Sequence, residues 1–277
     1  MRTILKTLSV LALLLGAAYA ASAQSLKIFD WNVLSYERQD KSGETSGFPI
    51  ADHLAKIQAV NPDIITFNEY ESASDRMSHK EKAAEVAAAL GMYSYYIMSY
   101  PKSGGYYGNA ILSKYPIVNA ASMQFQYKNH TGEGNYILNA DPELTQWGTD
   151  QRSVGYVDIL VPVSVTESTI VRVVCSHFDH KGANQVRTNQ ATWSVQFASL
   201  DNPPYPTIMA GDLNTSSDSV LQPLMDAGDH MYVNWVDHIF TFPKGRWTRV
   251  GNGSNGAGGN LSDHNYIYAT FDLNAAE

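Results

Sequence analysis

Five short apolar segments in this chain each run directly into, or out of, polar residues able to do chemistry. Residues 26–30 lead into Trp31-Asn32, 63–67 into Asn68-Glu69, 170–175 into Ser176-His177, and 207–210 into Gly211-Asp212-Leu213-Asn214, while Leu261-Ser262-Asp263-His264 opens onto 265–271. The runs are short, rich in β-branched and aromatic residues, and bounded by turn residues, which is the pattern of strands. Such strands carry carboxylates, amides and imidazoles at their ends, where a charge can meet solvent or a cation instead of being buried alone. Carboxylate and carbonyl oxygens suit a hard ion such as Mg²⁺, and an imidazole beside a carboxylate can move or stabilise a proton.

Apolar periodicity predicts strands at 26–31, 63–68, 93–98, 110–112, 154–161, 169–176, 207–210, 235–240 and 265–271, and helices at 50–60, 78–90 and 183–200. Ser78 and Glu81 have the spacing of a capping box, with Gly91 as the C-terminal stop. Segment 119–151 is polar and irregular, a length of loop usually reserved for function or disorder. The glycine-rich stretch 251–259 lacks the Gly-Lys-Ser/Thr ending of a phosphate-binding loop and reads as a mobile loop ahead of the last strand. No repeat or linker divides the chain beyond its leader, so 24–277 is expected to form one domain.

Residues 1–23 have the layout of a secretory signal: Arg2 and Lys6, an apolar run from Leu8 to Ala18, then Ala21-Ser22-Ala23. The run is shorter than the ~20 residues a spanning helix needs. The expected product is exported, periplasmic or extracellular. Losing Arg2 and Lys6 with the leader takes the formal charge from −8 to −10. A balance that acidic leaves nucleic acid open as a substrate but does not favour it, because duplex binding rests largely on Lys and Arg at phosphates. The single cysteine, Cys175, lies in the apolar run Ile170-Val171-Arg172-Val173-Val174 and reads as a small buried hydrophobe.

In this order the five segments resemble the endonuclease/exonuclease/phosphatase superfamily of metal-dependent phosphohydrolases, the deoxyribonuclease I-like group. Two further runs carry the resemblance: Gly108-Asn109-Ala110-Ile111-Leu112-Ser113-Lys114-Tyr115-Pro116-Ile117 is similar to its central strand and turn, and Val236-Asp237-His238-Ile239-Phe240 to its "I-D-Y-I-F" strand. The resemblance implies an α+β fold, a four-layer α/β/β/α sandwich, with the site where strands of both sheets end. It implies metal contacts from Asn32, Glu69 and Asp263, with Glu69 as principal ligand of Mg²⁺ or Mn²⁺. It also implies catalytic roles for His177, Asp212, Asn214, Asp237 and His264, Asp237 meeting the imidazole of His264. Arg152 and Arg187 also resemble family positions, with surface ion pairing as the alternative for each.

His177-Phe178-Asp179-His180 offers nitrogen and oxygen donors to zinc, but the spacing matches no zinc motif. The tyrosines at 93, 95, 96, 100, 106 and 107 could stack on a sugar or base, although packing of a tyrosine-rich strand explains them as well. The expected activity is metal-dependent hydrolysis of a small or lipid-derived phosphoester by in-line attack of water. The alternatives are a secreted endonuclease and a non-catalytic ligand-binding protein on the same fold.

Overall fold

The computed structural model describes residues 25–36, 50–125, 129–130, 147–148, 151–164, 166–201, 204–255 and 261–274. The expected leader and most of 126–150 lie outside them. The first sheet has the order β13 (Trp247–Ser254), β14 (Ile267–Leu273), β1 (Ser25–Asn32), β2 (Ile64–Ser72), β4 (Gly105–Ser113), β3 (Tyr93–Lys102). The second has the order β11 (Asp229–Asn234), β12 (Asp237–Phe242), β10 (Thr207–Asp212), β9 (Ser168–Ser176), β8 (Ser153–Pro162), β5 (Ile117–Gln124). A two-residue pair, β6 (Asn129–His130) with β7 (Trp147–Gly148), stands apart. Among the described residues, no helix is long and apolar enough to cross a membrane.

Both faces of the central strands are covered, so these strands alternate between two apolar environments rather than between apolar and polar ones. Leu26, Ile28, Ile64, Val171, Val173, Cys175, Ile208, Ala210 and Ile239 fill the space between the sheets. Their chain neighbours Phe29, Ile65 and Phe67 face outward onto α1 (Ile50–Val60) and α2 (Lys82–Leu90) through Ile57, Ala83, Val86 and Ala87. On the other side Val174, Met209 and Phe240 face α3 (Asn184–Ala198) and α4 (Asp218–Ala227) through Val186, Ala191, Leu221 and Leu224. The result is the four-layer α/β/β/α sandwich.

Each sheet contains one parallel pair, β1 with β2 and β9 with β10, flanked by antiparallel strands. Parallel strands end at the same edge, and an antiparallel neighbour begins there. Asn32, Glu69, His177 and Asp212 therefore share an edge with the starts of β12 and β14, where Asp237 and His264 lie.

Several local expectations are corrected. Ser78 caps no helix: it sits at φ 54° closing a short 3₁₀ turn, and α2 begins at Lys82 after Glu81, whose carboxylate instead accepts a hydrogen bond from Ser72. Gly91 does end α2 in the left-handed conformation. The expected loop at 119–151 begins as β5, and 251–254 belongs to the β13 hairpin rather than to a loop, because pairing with β14 satisfies a backbone whose composition alone suggested a turn. Helix α4, with Pro223 inside it, and the edge strands β5, β11 and β13 were not foreseen.

Gly211 shows how closely β9 and β10 meet at the site edge. At φ 156°, a Cβ there would lie 1.9 Å from the Ser176 carbonyl oxygen. Gly211→Ala is expected to cost about 1–3 kcal/mol through forced backbone displacement, lowering Tm by about 3–10 °C. Thermal unfolding of the variant measures this; an unchanged Tm would mean the strands tolerate the separation.

Candidate active site

On the inner strands the row of inward-facing residues changes from apolar to polar toward the C-terminal end. On β1 the row runs Leu26, Ile28, Asp30, Asn32; on β9, Val173, Cys175, His177; on β10, Ile208, Ala210, Asp212. Strand β12 enters with Asp237 directly opposite Asp212. Glu69 is different, because plain alternation would send it outward with Phe67. A shift in register between Phe67 and Tyr70, with Glu69 at φ 54°, turns it into the cleft instead.

Asp212 is the hub. Its Oδ2 accepts from Asn32 Nδ2 at 3.0 Å and faces His177 Nε2 at 3.4 Å and His264 Nε2 at 3.6 Å, while Oδ1 accepts the Asn214 N–H at 2.9 Å. The Asp212 backbone N–H donates to Asn68 Oδ1 at 2.8 Å. Asn32 Oδ1 accepts the Leu34 N–H at 3.1 Å, so Asn32 turns its amide nitrogen, not its oxygen, toward the carboxylates. Asn214, also left-handed at φ 48°, donates to the Phe178 carbonyl at 3.0 Å.

The two imidazoles differ in charge. His264 Nδ1 donates to Asp237 at 2.9 Å. Burial alone would lower its pKa, but the bond and charge of Asp237, with Asp212 and Asp263, hold it up at about 9. Burial raises Asp237 to about 6 against the pull of His264. His264 is thus an imidazolium at neutral pH. His177 is buried, and burial together with the nearby Arg152 cation keeps its pKa well below the ordinary histidine value. Arginine has no acceptor, so the Arg152 N–H at 3.0 Å must donate to His177 Nδ1, which fixes the neutral ring's proton on Nε2. That N–H points toward Asp212 Oδ2 at 3.4 Å, whereas the Asn214 Nδ2 beside it is itself a donor and cannot accept it.

Segment 261–264 is tied to β1. Ser262 Oγ donates to the Asn32 carbonyl at 2.6 Å and accepts the His264 N–H at 3.1 Å, and Trp31 Nε1 donates to the His264 carbonyl at 3.1 Å. A cleft of about 320 Å³ opens above these groups, lined by Glu69, Arg152, His177, His180, Asp212, Asn214, Trp235, Val236, Asp263 and His264. The sequence reading thus meets in one place: seven of its eight residues line the cleft or touch Asp212 directly, and Asp237 joins through His264. It missed Asn68 as a brace and Trp235 at the mouth. Arg187 instead donates to the Asp179 and His180 carbonyls beside the cleft. Asp179 accepts the Lys181 and Gly182 N–H groups, so its carboxylate closes a turn.

The donor set fits a hard cation. Burial and the neighbouring Asp212 and Asp263 carboxylates raise the pKa of Glu69 despite Arg152 and Asn32, a mutual repulsion that a divalent ion relieves. Ligand atoms of Asp212, Asp237 and His264 also lie within 4.8 Å of one another. In that trio the His264 nitrogens are already engaged by carboxylates, so it holds a proton better than an ion.

Residues 31–264 match the model of the Endonuclease/Exonuclease/phosphatase family. No curated protein matches the chain in sequence. Among solved structures, an endonuclease/exonuclease/phosphatase from Beutenbergia cavernae superposes with TM-score 0.68 at 17% identity, covering 91% of this chain and 72% of that one. The human Nocturnin catalytic domain with bound sulfate gives 0.66 at 14%, covering 90% and 94%. ANGEL2, described as a 2′,3′-cyclic phosphatase, gives 0.65 at 12%, covering 89% and 95%. At these identities the likeness shows the fold.

Beneath the site, Asp30 is fully buried. It accepts from Thr66 Oγ1 at 2.6 Å through Oδ1 and has no partner at Oδ2. Burial, then the charge of Asp237, raises its pKa well above 3.8. A group whose folded pKa is raised adds stability below its unfolded pKa and loses it as pH climbs toward the folded value. Asp30→Asn should therefore gain stability over wild type as pH rises from the acid range to neutrality, read as a growing difference in Tm. Thermal melts in EDTA across that range check it; a constant difference would mean that Asp30 does not titrate.

Proposed function

The chain belongs to the endonuclease/exonuclease/phosphatase family, whose members are phosphoesterases and nucleases, and we propose that it is an exported, Mg²⁺- or Mn²⁺-dependent hydrolase of small or lipid-derived phosphoesters. The observation that carries this reading is the Asp212 hub, a carboxylate held by Asn32 and the Asn214 backbone and faced by one neutral and one protonated imidazole. Glu69 and Asp263 would hold the ion on the open side of the cleft, with Asn32 orienting the carboxylates. A divalent ion bound there supplies charge neutralisation at the scissile phosphate and the leaving oxygen.

The protein's own groups divide the remaining work. Asp212 orients the attacking water and accepts its hydrogen bond, with Asn214 fixing the geometry. His177 Nε2–H donates to a phosphoryl oxygen, kept in that tautomer by Arg152. His264, protonated through Asp237, offsets the negative charge that builds on the phosphoryl oxygens as the leaving oxygen departs. Arg152 brings a fixed positive charge to the same wall. An endonuclease reading is disfavoured by the formal charge of −8.

Hydrolysis of bis(p-nitrophenyl) phosphate or p-nitrophenyl phosphate, lost in EDTA and restored by Mg²⁺, is expected. Rapid nicking of supercoiled plasmid at physiological salt, abolished by Asp212→Asn, would replace the small-substrate reading with a nuclease. Glu69→Gln should fold and bind Mg²⁺ much more weakly in calorimetric titration; unchanged affinity would move the ion elsewhere. His264→Ala should lower kcat by a factor on the order of 10² to 10⁴ with little change in Tm, and near-normal turnover would make His264 structural.

A further inference from the structure

Trp235 occupies a position that neither packing nor backbone preference explains. Strands β11 and β12 are joined by the two-residue turn Trp235-Val236, with Asn234 paired to Asp237. The first turn residue has φ 60°. Glycine, asparagine or aspartate normally take such a position in a tight hairpin, and a bulky residue there is strained. The residue is 66% exposed, so burial does not offset that strain. The indole instead lies over His264, ring centres 4.9 Å apart and 41° between planes, and forms a wall of the cleft. Among the described residues lining the cleft, which include Arg152, His177 and Asn214, it is the one aromatic side chain other than histidine.

We propose that Trp235 is a stacking platform that makes this site select phosphoesters bearing a flat ring close to the scissile phosphate, a mononucleotide being the simplest. The inference rests on the phosphoester reading of the cleft: the phosphate sits among Arg152, His177 and His264, and a group attached to it on the mouth side passes over the indole. A ring there stacks on a surface already presented. A linear or saturated group gains nothing comparable. The acidic balance of the chain suits a small ring-bearing phosphoester better than a duplex, whose binding needs a basic face that the formal charge of −8 does not favour.

The test compares adenosine 5′-monophosphate with ribose 5-phosphate, which carries an anomeric hydroxyl in place of the flat base, by titration calorimetry of the full chain in EDTA, where binding is read without metal-dependent turnover. Base–aromatic stacking is commonly worth about 1–3 kcal/mol, so wild type should prefer the nucleotide by about 5- to 150-fold. Trp235→Ala should abolish the preference while Trp235→Phe keeps part of it. Trp235→Gly, which suits the left-handed backbone, should lose the preference yet keep or raise Tm. Equal affinities in wild type, no measurable nucleotide binding, or a preference that survives in Trp235→Ala would overturn the proposal. A fall of both affinities by the same factor in Trp235→Ala would also overturn it, assigning Trp235 to the support of His264 alone. A ring preference without hydrolysis of any nitrophenyl ester would refute the hydrolase reading and leave the platform standing, whereas hydrolysis without ring preference would do the reverse.

Discussion

One buried amide holds the two halves of the site in register. Asn68, on β2 of the first sheet, donates through Nδ2 to the Ser176 carbonyl at the end of β9 at 3.1 Å and accepts the Asp212 N–H at the end of β10 at 2.8 Å. The same Nδ2 reaches Asn109 Oδ1 on β4 at 3.0 Å. Apolar contact between sheets is non-directional and tolerates sliding, whereas an amide satisfied at both ends in a dry interface does not. The polar seam continues through Ser153 Oγ, which takes the Asn109 amide at 3.5 Å and meets Ser99 Oγ at 2.6 Å. The hub carboxylate therefore inherits its position from a contact between sheets, not from either sheet alone.

Charge is arranged around that fixed point in three states. Asp30, directly below and shielded from water, has its pKa pushed up by burial, which favours the neutral form. Asp237 and His264 form an ion pair at one wall, where the carboxylate's main effect is to keep its partner protonated. Glu69 and Asp263 face the open side, where Arg152 pulls the Glu69 carboxyl down but burial and the neighbouring carboxylates raise it further. Residues of similar acidity in the chain thus become a buried acid of raised pKa, an ion-pair partner and ligands in waiting, and the difference is depth and company.

Much of this was legible in the sequence because strand periodicity is local. Inward rows ending in Asn32, His177 and Asp212 need only the two-residue repeat, and the matching family pattern supplied Asp237 and the sandwich itself. What escaped notice depends on partners distant in the chain. Glycine-rich 251–254 becomes a strand only because β14 is there to pair with it. Ser78 and Glu81 have the right spacing for a capping box, yet Glu81 is taken by Ser72, nine residues earlier. Asn68 reads as an ordinary strand-end amide until its partners at 109, 176 and 212 are brought to it. Helix α4 hides because a proline at 223 breaks the expected signal, although its apolar face through Val220, Leu221 and Leu224 is intact.

The unusual backbone conformations tell the same story from another direction. Glu69, Asn214 and Trp235 are non-glycine residues at positive φ, and all three line the cleft. Each is placed by a departure from regular geometry: a bulge for Glu69, a turn closed by Asp212 for Asn214, and a tight hairpin for Trp235. Regular strands can deliver side chains only at two-residue intervals on two fixed faces. A cleft that needs a carboxylate, an amide and an aromatic wall converging from different directions cannot be built from that repertoire. The backbone strain at these residues is the cost of aiming them, and two well-packed sheets supply the stability that sustains it.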